Sequence, residues 1–189
     1  KKGGHYGHFN SFSFDGSLDD IACPLAAGGA VYILDEETRR DLFEIQAYLQ
    51  KNKINGLTMS TQMGMELIRL DSELDMDYLM MGGEKLLPCQ KTNYKLINGY
   101  GPTEFTVCSS YYVVQGDEED IPIGRAVPNT ASYICDCFGN PVAQGIVGEI
   151  YLVGAQMAKG YWKQPELTNE RFTMITVGDE NVKAYRTGD

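Results

Sequence analysis

The segment Asn98-Gly99-Tyr100-Gly101-Pro102-Thr103-Glu104 holds the densest set of residues suited to chemistry. Glycines at 99 and 101 let backbone come close to a ligand, and Pro102 stiffens the turn. Tyr100 offers a flat face to an aromatic base. Thr103 offers a hydroxyl to a phosphate oxygen. Glu104 is a hard oxygen ligand of the kind magnesium prefers. The segment follows a strand predicted over Tyr94 to Ile97. It therefore lies beyond a strand's C-terminal end, where open α/β sheets hold ligands. A tight turn with an exposed acid fits the local residues equally well.

A second set begins at Ser13-Phe14-Asp15-Gly16-Ser17, just before a helix predicted over Ser17 to Ala27. A carboxylate at a helix start is stabilised by the helix dipole and the free amides, so Asp15 is expected to stay ionised. It can pair with a substrate ammonium, or serve only as a cap beside Ser17. Ser17 and Asp20 stand at capping-box spacing. His5 and His8 are three apart, but Gly3, Gly4 and Gly7 argue against a helix there, so they read as a loop near the pocket entrance.

The elements that must position these residues alternate. Ala30 to Leu34 reads as a buried strand, Thr38 to Lys51 as an amphipathic helix, Ile54 to Met59 as a strand and Ser60 to Leu70 as a helix. Tyr78 to Met81 is a strand ending at Gly82-Gly83. Alternation of this kind predicts a parallel sheet covered on both faces. After about Thr106 the pattern changes. Val107 to Val114, Ala131 to Cys137 and Gly148 to Val153 are β-rich, separated by turns such as Gly139-Asn140-Pro141. A small antiparallel sheet or barrel is expected. The acidic stretch Gly116 to Asp120 reads as a surface connection, giving an αβ subdomain over 1–115 and an antiparallel β subdomain over 116–189.

The net charge of −10 argues against nonspecific binding to nucleic acid or anionic membranes. No apolar run is long enough to span a bilayer, and no segment has a signal-peptide layout. The five cysteines, Cys23, Cys89, Cys108, Cys135 and Cys137, are irregularly spaced, and free thiols in a reducing cytoplasm are the plainer reading. Trp162 and the many tyrosines read as core and surface, not as a stacking platform for nucleic acid.

Asn-x-Tyr-Gly-Pro-Thr-Glu at 98–104 resembles a signature of adenylate-forming enzymes, which include peptide synthetase activation domains, acyl-CoA synthetases and luciferases. Other segments agree in order and spacing. Ser13 to Ser17 resembles the family segment that opens the substrate pocket. Ile123-Gly124-Arg125 matches a connecting stretch. Gly148 to Gly154 and Gly160-Tyr161-Trp162 resemble the next motif, continued by Pro165 to Phe172. Tyr185-Arg186-Thr187-Gly188-Asp189 resembles the one after that. Together they cover nearly the whole chain.

The resemblance implies an α/β fold: part of the large N-terminal domain of such an enzyme, a mostly parallel αβ subdomain followed by a small β-barrel-like one. It implies activation of an amino acid with ATP to an aminoacyl-adenylate, with release of pyrophosphate, in nonribosomal peptide synthesis. The acyl group then passes to the phosphopantetheine thiol of a partner carrier protein. Gly82, Gly83, Glu84, Asn98, Gly99, Tyr100, Gly101, Thr103 and Asp189 are implied on the nucleotide, with Asp189 on the ribose. Thr103 and Glu104 are the implied catalytic pair, and Glu104 the magnesium ligand. The implied pocket is Asp15, Gly16, Asp19, Thr58, Met80, Gly82, Gly99, Val107 and Cys108, with Asp15 on the α-amino group. Asp19 and Thr58 are polar, and a second carboxylate in a pocket needs a cation or donor. A polar or basic substrate side chain is expected; Asp19 could instead face solvent with Asp20.

The chain begins at Lys1 and stops at Asp189, both read as boundaries inside a longer protein. The family's glycine-rich phosphate loop and the lysine of its C-terminal domain have no match here, so the chain alone is expected to lack efficient catalysis. Within the family, a D-alanine–carrier protein ligase or another acyl- or aryl-acid ligase is the alternative. Outside it, the alternative is a noncatalytic nucleotide-binding or scaffold domain.

Overall fold

The computed structural model describes residues 2–70 and 73–189. They form two compact units, one of the residues up to Tyr100 with Tyr111–Arg125, the other of Gly101–Ser110 with Ala126–Asp189. The acidic stretch Gly116 to Asp120 thus lies inside the first unit. There Glu118 accepts hydrogen bonds from the backbone of Gln115 and Gly116, at 2.7 and 2.8 Å, and these hold its carboxyl down at about 2.

The first unit is a parallel-rich sheet with helices. Strands β1 (His5–His8), β2 (Ala30–Ile33), β3 (Gly56–Ser60), β4 (Tyr78–Gly82) and β5 (Lys95–Tyr100) alternate with helices α1 (Gly16–Ala26), α2 (Leu42–Lys51) and α3 (Thr61–Arg69). With β6 (Ser110–Val113) and β7 (Arg125–Ala126) the sheet order is β2-β1-β3-β4-β5-β6-β7. The pairs from β2 to β5 are parallel. Strand alternation sends Leu57, Met59, Leu79, Met81 and Leu96 to one face, where Ile45, Leu49, Leu67 and Ile68 of α2 and α3 bury them. Each such side chain contributes ~1.5–3 kcal/mol on leaving water.

Several local expectations meet a physical correction. The loop expected at His5 and His8 is strand β1, inside the sheet. Gly7 leaves room for the Leu57 side chain of the neighbouring strand, whose Cδ1 lies 2.5 Å from where a Cβ would stand. The helix expected from Thr38 is interrupted. Residues Thr38–Arg40 form a 3₁₀ turn, and Asp41 sits extended, accepting from Phe43 N and Glu44 N as the cap of α2. Strand β6 begins only at Ser110, because Thr106 and Val107 have left-handed backbone.

In the second unit β8 (Thr130–Cys135), β9 (Glu149–Gly154), β10 (Phe172–Val177) and β11 (Glu180–Arg186) form an antiparallel sheet in the order β10-β11-β9-β8. This part is an open four-stranded sheet among the described residues, where a sheet or barrel was expected. A short helix α4 (Pro165–Arg171) precedes β10, with its proline at the first turn. Phe105, Leu152, Phe172 and Tyr185 form one core cluster, and Cys135, Tyr151, Ile175 and Ala184 a second.

Candidate functional site

In the first unit the candidate residues sit on α1 and on the sheet face opposite the α2–α3 core. Asp15, Asp19 and Cys23 recur every four residues, so they share one stripe of α1. Asp15 occupies the N-cap position with helical backbone, φ −62° and ψ −27°, and its side chain caps no amide. The cap role weighed for it is therefore not the one it plays. Its Oδ2 is buried and accepts no hydrogen bond. The Ser17–Asp20 capping box does not form either. Asp20 turns inward and its Oδ2 accepts from Phe9 N, Asn10 N and Asn10 Nδ2, at 3.1, 3.0 and 3.0 Å, and faces His8 Nδ1 at 3.3 Å. Burial pushes the Asp20 carboxyl pKa above the usual carboxylate value against those hydrogen bonds.

Asp19 accepts from the Cys23 thiol at 2.8 Å. Asp19, Asp20 and Cys23 line a cavity of about 240 Å³ together with Thr58, Tyr6 and Tyr78 on the sheet. Asp19 thus lines a cavity, where a purely solvent-facing role was the alternative. Asn10 ties the two walls, donating through Nδ2 to Asp20 and, at 3.3 Å, to the Thr58 carbonyl. Its amide also lies 3.2 Å from where a Cβ on Gly16 would stand. Met80 is the register partner of Thr58, and its Cε lies over Gly99. Gly82 pairs with Gly99, and a Cβ on Gly82 would stand 2.8 Å from the Gly99 carbonyl oxygen. Gly83 takes φ +94°. The Glu84 carbonyl accepts from Thr61 Oγ1 at 3.1 Å, which pins this loop to the start of α3. Asn98 is buried, donating to the Pro122 carbonyl at 2.9 Å. Tyr100 ends β5, half-buried.

In the second unit the chain turns at Gly101, where a Cβ would meet the Val107 carbonyl oxygen at 2.3 Å. Thr103–Phe105 is a 3₁₀ turn. Phe105 is fully buried and anchors the residues on either side. Glu104 accepts through Oε1 from the Tyr161 hydroxyl at 2.5 Å, and its carbonyl accepts from Ala158 N at 2.8 Å. The Tyr161 and Tyr185 hydroxyls lie 3.5 Å apart, with Phe172 packed edge-on against Tyr161. Burial raises both tyrosine pKa values above the usual range, and Glu104 raises Tyr161 further, so Tyr161 remains a neutral donor. Thr106 and Val107 follow at φ +54° and +62°. Such backbone costs ~1–3 kcal/mol at each non-glycine residue, and burial of Phe105 offsets part of it.

Asp189 lies beside a concave surface lined by Gly148, Glu149, Glu170, Arg171, Arg186 and Gly188. Its backbone carbonyl accepts from Ile150 N at 3.0 Å. Glu149 organises this corner. Its oxygens each lie 2.9 Å from Arg186 Nε, and Oε1 accepts from Gly188 N at 2.9 Å.

Each unit therefore gathers part of the expected set. Asp15, Gly16, Asp19, Thr58, Met80, Gly82 and Gly99 fall within the first; Thr103, Glu104, Val107, Cys108 and Asp189 within the second. Sequence reasoning missed Asp20, Asn10, Tyr161 and Glu149 as site-building groups. Tyr161 stood in a quoted motif but read as core, and its bond to Glu104 spans 57 residues, which no local pattern reveals.

Glu104 fits a metal that a nucleotide helps to hold. Tyr161 takes up one lone pair of Oε1, and a carboxylate has about four such sites, so acceptor capacity is left for a cation. No group of three or more His, Cys, Asp or Glu stands ready to form an all-protein cage among the described residues. Magnesium commonly binds through one or two carboxylates with phosphates and waters. No helix among the described residues is long and apolar enough to cross a membrane.

The AMP-binding enzyme family model matches residues 3–162. Malpinin synthetase of Mortierella alpina is 38% identical over 191 residues, 96% of this chain and 2% of that protein. Tyrocidine synthase 2 of Brevibacillus parabrevis is 35% identical over 189 residues, 97% of this chain and 5% of that protein. The chain thus spans only a small share of these relatives' length. Among solved structures, holo-PA1221, described as a peptide synthetase protein with adenylation and carrier domains, superposes with a TM-score of 0.88 at 28% identity, over 98% of this chain and 34% of that one. The N-terminal subdomain of Klebsiella oxytoca NpsA with 3-hydroxybenzoyl-AMSN gives 0.87 at 25% identity, over 100% of this chain and 51% of that one. Motif order, the parallel sheet with its loop beyond β5, and the span of the match agree: the chain belongs to the AMP-binding enzyme family.

Proposed function

We propose that this chain is the amino-acid-recognising and nucleotide-recognising part of an ATP-dependent ligase that forms aminoacyl-adenylates for nonribosomal peptide synthesis. The observation that carries the reading is the buried, unpartnered Asp15 Oδ2 at the start of α1. An uncompensated buried carboxylate oxygen is costly, and a substrate α-ammonium supplies the missing partner. In the reaction the substrate carboxylate attacks the α-phosphorus of ATP, the bond from that phosphorus to the leaving oxygen breaks, and pyrophosphate departs. Asp15 orients the amino acid, while Tyr100 and Asp189 hold adenosine and ribose. Gly82, Gly83, Glu84, Asn98, Gly99 and Gly101 shape the loops assigned to the nucleotide, and Thr103 bonds a phosphate oxygen. Glu104 would hold magnesium, which offsets the charge of the triphosphate and departing pyrophosphate. The acyl group then passes to a carrier-protein thiol in the cytoplasm. In this reading residues 1–115 supply the substrate pocket and adenine loop, and 116–189 end at the ribose ligand.

The pocket points to a basic side chain. Asp15 and Asp19 are one helical turn apart, about 6 Å along the axis. That separation suits the two cations of a diamino acid of moderate length. The Thr58 hydroxyl and the cavity beside Asp19 leave room for the second cation. The family resemblance assigns Val107 and Cys108 to amino-acid recognition as well.

The test is ATP–pyrophosphate exchange by the complete enzyme across amino acids and plain carboxylic acids. Exchange with one basic or polar amino acid supports the reading. Exchange only with acids lacking an α-amino group moves the chain to the acyl or aryl branch. Exchange with alanine alone favours a D-alanine–carrier protein ligase, and none at all favours a noncatalytic domain.

A further inference from the structure

Thr106 and Val107 are consecutive β-branched residues in left-handed backbone, at φ +54° and +62°. Here Cβ crowds the neighbouring backbone, so the conformation persists only where its surroundings hold it. Two of the holding features lie beside the turn. Phe105 is buried without exposure, and Gly101 backs directly onto the Val107 carbonyl. The third is Gln156, which grips the turn at both ends. Its backbone carbonyl accepts from Thr106 Oγ1 at 2.6 Å, and its side-chain Nε2 donates to the Cys108 carbonyl at 3.1 Å. Inside the turn Cys108 N donates to the Thr106 carbonyl at 2.8 Å, and the Cys108 thiol to the Ser110 carbonyl at 3.3 Å.

We infer that Gln156 is a specificity-determining positioning residue, latching the strained Thr106–Cys108 turn and so fixing how Val107 and Cys108 are presented. The inference rests on the proposed role of Val107 and Cys108 in recognising the amino acid. Without the Nε2 bond, the Cys108 carbonyl loses this donor and the turn loses one of its restraints. Glu104 has holds of its own besides the shared Phe105 anchor, in the Tyr161 and Ala158 hydrogen bonds. Loss of the latch therefore weakens amino-acid recognition and leaves nucleotide handling intact.

The experiment compares Gln156→Met, which keeps length and removes the donor, and Gln156→Glu, which keeps shape and replaces the donor with an acceptor. Both are made in the complete enzyme and followed by ATP–pyrophosphate exchange. Expected is a rise of about three- to tenfold in KM for the preferred amino acid, the worth of one hydrogen bond. KM for ATP and kcat stay unchanged, and related amino acids are accepted more readily. An unchanged amino-acid KM overturns the latch, as does an equal loss of kcat and ATP affinity with a lowered Tm, which marks a residue that only stabilises the fold. Asp15→Ala separates the layers. If it abolishes amino-acid-dependent exchange while the Gln156 variants change nothing, only the latch fails. If it too changes nothing, the pocket assignment fails.

Discussion

The Tyr161 hydroxyl donates to Glu104 Oε1 at 2.5 Å, across 57 residues of chain, and the Tyr185 hydroxyl stands 3.5 Å behind it. A carboxylate fixed by a neutral donor keeps its aim. Hydrogen bonds to charged groups contribute ~1.5–3 kcal/mol. Tyr161→Phe is therefore expected to raise the magnesium concentration needed for half-maximal exchange by about tenfold or more. Magnesium titration checks this, with direct calorimetry of magnesium binding to the nucleotide complex as the readout independent of turnover. An unchanged requirement in both would separate Tyr161 from the metal site.

Asp19 faces the cavity with Thr58, and the Cys23 thiol bonds it there at 2.8 Å. Asp19→Asn removes the charge and keeps the shape. Its preference for basic over isosteric neutral amino acids should fall by about tenfold, one charge-assisted hydrogen bond. Competition between the two substrates in one exchange reaction measures the ratio.

The Asp20 carboxyl is raised above its ordinary value of 3.8 by burial. A carboxylate with a raised folded pKa binds its proton more tightly in the native state. Its contribution therefore favours folding at low pH and declines as pH rises from about 4 through the folded value. Asp20→Asn removes this dependence. Melting curves at pH 4, 5 and 7 should show wild type losing stability relative to the variant as pH rises over that window. Parallel curves would contradict the assignment.

A methyl group at Gly101 would stand 2.3 Å from the Val107 carbonyl oxygen and 2.8 Å from Cys108 Cα. Both obstacles are backbone, so no side chain can swing aside. Gly101→Ala should destabilise by about 1–3 kcal/mol, the ordinary cost of overpacking. Chemical denaturation reads the loss directly.

The alternation of β2 to β5 with helices was legible because buried parallel strands read as apolar runs and amphipathic helices as 3.6-residue repeats. Leu79 and Met81 on β4 illustrate the first, Ile45 and Leu49 on α2 the second. Strand β1 was not legible, since Gly7 marks close packing that depends on Leu57 fifty residues away. The break at Asp41 was hidden because one extended residue carries no periodic signal. Of the candidate residues, Glu104 and Asp15 stood out by type and position, while Asp19 came only with the family resemblance. Asp20 was not, because its inward turn depends on Phe9 and Asn10 amides that no spacing rule connects to it. Gln156 was equally silent, since both its bonds reach across about fifty residues to a turn whose backbone is unfavourable for threonine and valine.

The most direct test of the account compares the preferred amino acid with its analogue lacking the α-amino group, in ATP–pyrophosphate exchange by the complete enzyme and its Asp15→Ala variant. If Asp15 holds the α-ammonium, wild type favours the amino acid by about a hundredfold or more, consistent with a charged, hydrogen-bonded pair, and Asp15→Ala loses that preference. Equal use of both substrates by wild type, or an unchanged preference in Asp15→Ala, would contradict it.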